Sequence, residues 1–250
     1  SNIGGIYGNA GYVYDSFVEN VKVYGLNVTT ENVGGISGYN GIVQRCGVMD
    51  TTVTNAGVKT GGVIGFTSGH HVYHSFVRDT TVTGYDKVGG LVGQVSGGGA
   101  IRYDRVFNTN VIATNNFAGG AYGYFYNDNT YGSYNEGYAE DLAIESVNVQ
   151  AKYYAGGFMG GLNDEIYYSQ RIRELFFEGT VNATGGQYYG IASGDDHNGE
   201  LLKQPRIYAY ERSLVNGNEV KNSIKEESVV NSNILDTVSF LPGYVNSSDG

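Results

Sequence analysis

A chain of 250 residues with 40 glycines, 23 tyrosines, two prolines and no tryptophan is long enough to bury a sizeable core, and its 40% hydrophobic content sets it apart from disordered sequences of similar Gly and Asn richness. Fifteen Lys plus Arg stand against 25 Asp plus Glu, a formal charge of −10, which lacks the basic footprint that nucleic acids and anionic membranes require. No apolar run reaches the length of a membrane span.

The chain opens on "SNIGGIYG", already inside a motif that returns along its length. "GGIYG" begins at Gly4, "GGISG" at Gly34, "GGVIG" at Gly61, "GGLVG" at Gly89, "GGAYG" at Gly119 and "GGFMG" at Gly156, with a degenerate "YGIASG" at Tyr189. The complete copies are 30, 27, 28, 30 and 37 residues apart. A second column keeps step. Asn20, Asp50, Asp79, Asn108, Ser146 and Glu178 each precede, by three residues, Val23, Val53, Val82, Val111, Val149 and Val181. Two columns in register define an internal repeat, so the glycines serve architecture before any phosphate-binding role is considered. A stack that opens inside a repeat normally has a cap or further domain ahead of it, so the chain is expected to be a piece of a longer one, and the lack of a secretory leader at Ser1 says nothing of compartment.

Between the glycine motifs lie short runs such as "IVQRCGVMD" and "TTVT", rich in Val, Ile, Thr and Tyr and bounded by turn residues. They are too short and too β-branched for helices. The prediction is an all-β fold: a parallel β-helix (solenoid), right-handed by the usual crossover rule, of about seven coils of 27–37 residues with roughly three strands per turn. Val23 and its equivalents, with Ile36, Val63, Leu91 and Phe158, are predicted to point inward. Asn20, Asp50, Asp79 and Asn108 mark one corner, because Asn and Asp tolerate left-handed backbone. Gly35, Gly62, Gly90, Gly120 and Gly157 mark another, where positive φ is expected and a side chain would clash with the coil above. Residues 1–200 form the β-helical domain. Residues 201–250, richer in Lys, Glu and Ser, read as a terminal cap and linker, with "VNGNEV" a tight hairpin and "NSIKEESVVNSNIL" a short helix or strand pair.

The stretch "VGGLVGQVSGGGAIRYDRVFNTNVIAT" resembles the GLUG repeat, and the likeness extends over roughly residues 4–194. It implies a β-helical region of the kind found in large bacterial surface proteins, especially in the non-catalytic N-terminal half of zinc metallopeptidases of the immunoglobulin A protease type. The tail segment "PRIYAYERSLVNGNEV" is similar in style to the exit from that region. The resemblance implies an extracellular, secreted or surface-attached protein, zinc held elsewhere in the parent chain, contact with a downstream domain, and a host glycoprotein or other extracellular protein or glycan as partner.

No catalytic residue is assigned. His-Glu-x-x-His, Gly-x-x-x-x-Gly-Lys-Ser/Thr and Gly-x-Ser-x-Gly are all absent, and Cys46 stands alone. In "HHVYH", alternation places His70 and Val72 on one face and His71 and Tyr73 on the other; His70 and His74 are weak metal candidates beside a solvated-loop reading. Asp195 and Asp196, with His197, form a second weak cation candidate against ordinary turn chemistry. Asp50 and Asp79, on one corner of adjacent coils, could serve a glycan-cleaving acid pair, yet their column continues as Asn and favours turn formation. The insertion "YGYFYNDNTYGSYNEGY" nominates Tyr122, Tyr124, Tyr126, Tyr131, Tyr134 and Tyr138 for recognition, since Tyr gives large amphipathic contact at low entropy cost; the alternative is flat packing on strands. Three functions follow: a substrate-positioning domain of a metallopeptidase, an adhesin or structural stalk, or a β-helix glycan-active enzyme.

Overall fold

The computed structural model describes residues 1–9, 11–126, 138–163, 172–185, 188–190, 194, 207–209, 213–215 and 218–219. Every element among them is a β-strand, as the short β-branched runs predict. The second coil shows the plan: Asn32–Gly34, Ser37–Tyr39, Ile42–Gln44, Gly47–Met49 and Thr52–Asn55. Stacked coils build three sheets of 7, 6 and 16 strands, and the chain forms a parallel β-solenoid. Each early coil therefore uses five short strands where three were expected, because two corners break the third side into three lanes. From Ala100–Phe107 onward, lanes fuse into longer strands, as in Tyr138–Ala151 and Ile172–Ala183.

Pairing is parallel and residue-on-residue. Val23, Val53, Val82, Val111, Val149 and Val181 lie in one line through successive coils. All six are buried, as are Ile36, Val63, Leu91 and Phe158. Burying a Val, Leu or Phe side chain stabilises by about 1.5–3 kcal/mol, so each coil gains most of its stability from its neighbours.

Two corners are left-handed without glycine. The predicted one holds Asn20, Asp50, Asp79, Asn108 and Ser146 at φ between 47° and 54°. Thr51, Thr80 and Thr109 follow the corner and donate to the carbonyls of Met49, Arg78 and Phe107 at 2.6, 2.7 and 2.9 Å, a side-chain turn that fixes the bend. At the sixth coil Glu178 leaves the pattern, and the adjoining Gly179 takes φ 154°.

The expected clash with the neighbouring coil is present at the glycine column, but the expected positive φ is not. Gly35, Gly62, Gly90, Gly120 and Gly157 are absent from the positive-φ positions, so conformation is not what selects them. Proximity is. A β-carbon on Gly35 would collide with Gly62 O, one on Gly62 with Gly90 O, and one on Gly90 with Gly120 O. Backbone rests directly on backbone there, and no larger residue fits.

The stack continues beyond residue 200. Ile207–Ala209 and Leu214–Val215 add parallel to Ile172–Ala183, and Leu214–Val215 pairs antiparallel with Asn218–Glu219, the hairpin read from "VNGNEV". The segment "NSIKEESVVNSNIL" lies outside the described residues.

Candidate functional site

The first lane of the third sheet alternates in its first three coils. Val13, Val43 and Val72 point inward between outward neighbours; at Ile101 the preceding Ala100 is buried as well, and Arg102 after it is only half-buried. The column that follows runs Tyr14, Gln44, Tyr73 and Arg102 along the outside and ends in register on Glu140, which is buried. Immediately after it the chain turns at Asp15, Arg45, His74, Tyr103 and Asp141, with φ of 49°, 54°, 49°, 60° and 53°. Left-handed backbone costs an ordinary L-residue about 1–2 kcal/mol. Asp accommodates it; Arg and Tyr are poor choices for such a position. Ser16 and Ser75 stabilise the turn by donating to Tyr14 O and Tyr73 O at 2.7 and 2.9 Å.

These two columns, with Tyr12 and His71 from the start of the same strands, form one ridge of rings and charges. Tyr12 and Tyr14 stack with centroids 6.5 Å apart, His71 and Tyr73 at 5.2 Å, and His74 and Tyr103 at 4.8 Å. Arg45 donates Nε to Asp15 Oδ1 at 2.6 Å and Nη2 to Asp15 Oδ2 at 2.7 Å. That pairing holds the Asp15 carboxyl below the usual carboxylate range. Arg102 donates Nε to Glu140 Oε2 at 2.8 Å and lies 5.7 Å from the Tyr103 ring centre. His71 Nδ1 accepts from the Ala100 amide at 3.2 Å, which leaves the proton on Nε2. Burial, then the neighbouring His70 and Arg102, lower its pKa. Burial, then Arg45, lower that of His74.

Beneath the ridge a polar pair is sealed in the core. Asp104 is fully buried, accepts the Ser75 amide at Oδ1 (2.6 Å), and leaves Oδ2 without a hydrogen bond. Burial pushes its carboxyl well above the ordinary value.

The predicted site residues fare unevenly. Tyr122 is fully buried, so it cannot meet a partner: its strand, Tyr122–Tyr126, turns that ring inward against Phe125 at 5.1 Å. Tyr124 faces outward from the second sheet, edge-on to Phe117 at 4.9 Å and 5.5 Å from Lys87 Nζ. Its outward row continues through Phe66, itself 4.6 Å from Lys59 Nζ, and Tyr39. Tyr126 is exposed. Tyr131, Tyr134, Asp195 and Asp196 lie outside the described residues, as does the Tyr138 side chain.

Alternation in "HHVYH" is as predicted only for His71, Val72 and Tyr73. His70 precedes the strand and its Nδ1 lies 2.7 Å from Ser68 O, while His74 occupies the corner on Tyr103. The two weak metal candidates are thus committed to different local contacts. Asp50 and Asp79 sit at the polar corner, both exposed, with Asp79 Oδ2 3.1 Å from Arg78 Nε.

Sequence reasoning missed Asp15, Arg45, Arg102, Tyr103 and Glu140. A signal was present: Asp15, Arg45, His74, Tyr103 and Asp141 each precede the Asn/Asp corner by five residues. Comparison of the chain with protein-family models, curated proteins and solved structures gives no match.

Proposed function

We propose that the chain is a non-catalytic recognition module of a secreted or surface-attached bacterial protein, and that the ridge from Tyr12 to Glu140 binds a host glycoprotein. One observation carries the reading. Arg45 and Tyr103 occupy left-handed backbone that neither residue favours, inside a row of stacked rings and the fork-shaped Arg45–Asp15 pair. Strain retained on an exposed surface points to use of the side chains, since stability alone would place Gly or Asn there. Flat Tyr and His rings suit sugar faces and extended polypeptide, while Gln44, Asp15 and Arg45 offer hydrogen bonds to hydroxyls and amides.

The GLUG-like register supports placing the module in a zinc metallopeptidase of the immunoglobulin A protease type, where it would position substrate for a catalytic unit elsewhere. The same ridge would serve an adhesin or stalk. Binding of the chain to a panel of mucosal glycoproteins, including immunoglobulin A, tests recognition itself: saturable binding supports it, and a folded chain that binds none rejects it. Cleavage of the bound glycoprotein by the parent protein separates the protease reading from the adhesin.

A further inference from the structure

The carbonyl in front of a ridge corner accepts twice. Gln44 O takes the Asp15 amide at 3.1 Å and Cys46 Sγ at 3.2 Å; Tyr73 O takes the Arg45 amide at 3.0 Å and Ser75 Oγ at 2.9 Å. Each left-handed residue is thus tied to a carbonyl of the following coil, and a side-chain donor two residues past that carbonyl holds it in place. The donors belong to one column: Ser16, Cys46, Ser75 and Asp104 immediately precede the register partners Phe17, Gly47, Phe76 and Arg105. The column also accepts. Cys46 N–H donates to Ser75 Oγ at 3.2 Å, and Ser75 N–H to Asp104 Oδ1 at 2.6 Å.

At Asp104 half of this pattern is complete. Arg102 O takes the His74 amide at 3.2 Å, and Asp104 Oδ1 takes the Ser75 amide. The remaining half is a hydrogen from residue 104 to Arg102 O. A carboxylate has none to give; a carboxylic acid has one. Oδ2, buried and without a hydrogen bond, is the atom left to carry it. The surroundings favour the proton: burial raises the pKa of this carboxyl well above the ordinary value, and the amides of Ser75 and Arg102 offset that only in part. Leu142 follows Asp104 on the next coil, and across the core the buried Tyr122 is close enough to feel its charge. The flanking cations are engaged elsewhere, Arg102 with Glu140 and Arg105 with Glu145.

We propose that Asp104 is a positioning residue of the ridge: as the neutral acid it donates through Oδ2 to Arg102 O and fixes the Arg102–Tyr103 corner, and its ionisation releases that corner and weakens ligand binding. This rests on the ridge being the binding surface. Once ionised, residue 104 sets a carboxylate oxygen against a carbonyl oxygen in a buried place where their repulsion is poorly screened. The left-handed backbone of Tyr103, at φ 60°, and its stack on His74 then lose their anchor. The sign follows: the clamp holds below the folded pKa of Asp104 and is lost as pH rises through it. His71 and His74 titrate on the same ridge, so wild type is read against Asp104→Asn, in which both histidines remain and residue 104 keeps a donor at every pH.

The test follows the whole chain across the pH range in which it stays folded. Isotope-edited infrared spectra, with Asp104→Asn identifying the Asp104 band, report its protonation. Exchange of the His74 amide, taken as the ratio of wild type to Asp104→Asn, reports the corner, and titration with the mucosal glycoprotein reports binding. The carboxyl is expected to be neutral at the acid end of the range. As it ionises, His74 exchange should rise and affinity fall, each by about fivefold relative to Asp104→Asn, the worth of one hydrogen bond. Asp104→Ser, which restores the donor found at Ser16 and Ser75, should keep both readouts at the level of Asp104→Asn throughout. Readouts that stay flat while the carboxyl ionises overturn the proposal, as does a carboxyl that keeps one protonation state over the whole range. Exchange that follows ionisation while binding does not overturns it too. A folded chain that binds no glycoprotein fails the ridge reading instead, and infrared and exchange then decide separately whether Asp104 holds the corner.

Discussion

Arg45 grips Asp15 across one coil step through two parallel hydrogen bonds of 2.6 and 2.7 Å, and both residues hold left-handed backbone to do so. The pair is exposed, with 43% and 63% of the two side chains open to solvent. An exposed pair of this kind contributes little to stability, so the strain of the Arg45 backbone has no local return. This separates what the ridge does for the fold from what it does for a partner.

Arg45→Gly should therefore leave the thermal midpoint unchanged or raise it, because glycine adopts φ 54° without steric cost. The same variant should lose glycoprotein binding. A scan of unfolding beside a binding isotherm checks both, and a marked fall in midpoint would show that the charge pair is structural.

The two kinds of corner predict opposite responses to similar changes. Gly62→Ala should destabilise by about 1–3 kcal/mol or prevent folding, since its β-carbon meets Gly90 O. Asp50→Gly should be tolerated, because φ 47° already suits glycine and the side chain is exposed. Denaturant titrations of the two proteins decide it; similar losses would mean that the glycine column is conformational after all.

Asp104 should make stability depend on pH. Burial raises its folded pKa well above the ordinary carboxylate value, so the folded state binds the proton more tightly than the unfolded chain. The resulting penalty is present at neutral pH and disappears as pH falls through the folded pKa toward 3.8. Asp104→Asn keeps the Oδ1 acceptor for Ser75 and removes the buried charge, so it should stabilise at pH 7 and lose that advantage near pH 4. His71 and His74 act in the opposite sense: their folded pKa values lie below 6.5, so their contribution is full above pH 6.5 and is lost as the pH drops below it. Unfolding curves of wild type and Asp104→Asn between pH 4 and 8 separate the two trends.

Cys46 should resist modification. The thiol is 1% exposed, within 3.2 Å of Gln44 O, and burial raises its pKa. Labelling by a thiol reagent should track opening of the second coil, accelerating strongly in denaturant; rapid labelling under native conditions would contradict the burial.

Much of the fold could be read from spacing. A repeat period near 28 residues, Val23 to Val181 and the Asn20 to Asn108 corner each have one cause, and each cause leaves a column in the sequence. The role of Gly35 and Gly62 was only half legible, because positive φ and close approach select the same residue and only coordinates tell them apart. The ridge was less legible still. Its corner is occupied by Asp, Arg, His, Tyr and Asp, so Asp alone recurs, at the two ends, and only register betrays the column. Tyr122 shows the converse: a tyrosine-rich segment looks uniform in sequence, while strand alternation sends Tyr122 inward and Tyr124 outward.

The central claim is that the ridge from Tyr12 to Glu140 recognises a glycoprotein. The most direct measurement is a binding titration of three folded chains against the glycoprotein that the wild type binds: wild type, Arg45→Gly with Tyr73→Ala, and Phe66→Ala on the second sheet. The account predicts at least a tenfold loss of affinity for the ridge variant and an unchanged constant for Phe66→Ala. Unchanged binding by the ridge variant, or a loss confined to Phe66→Ala, would contradict it.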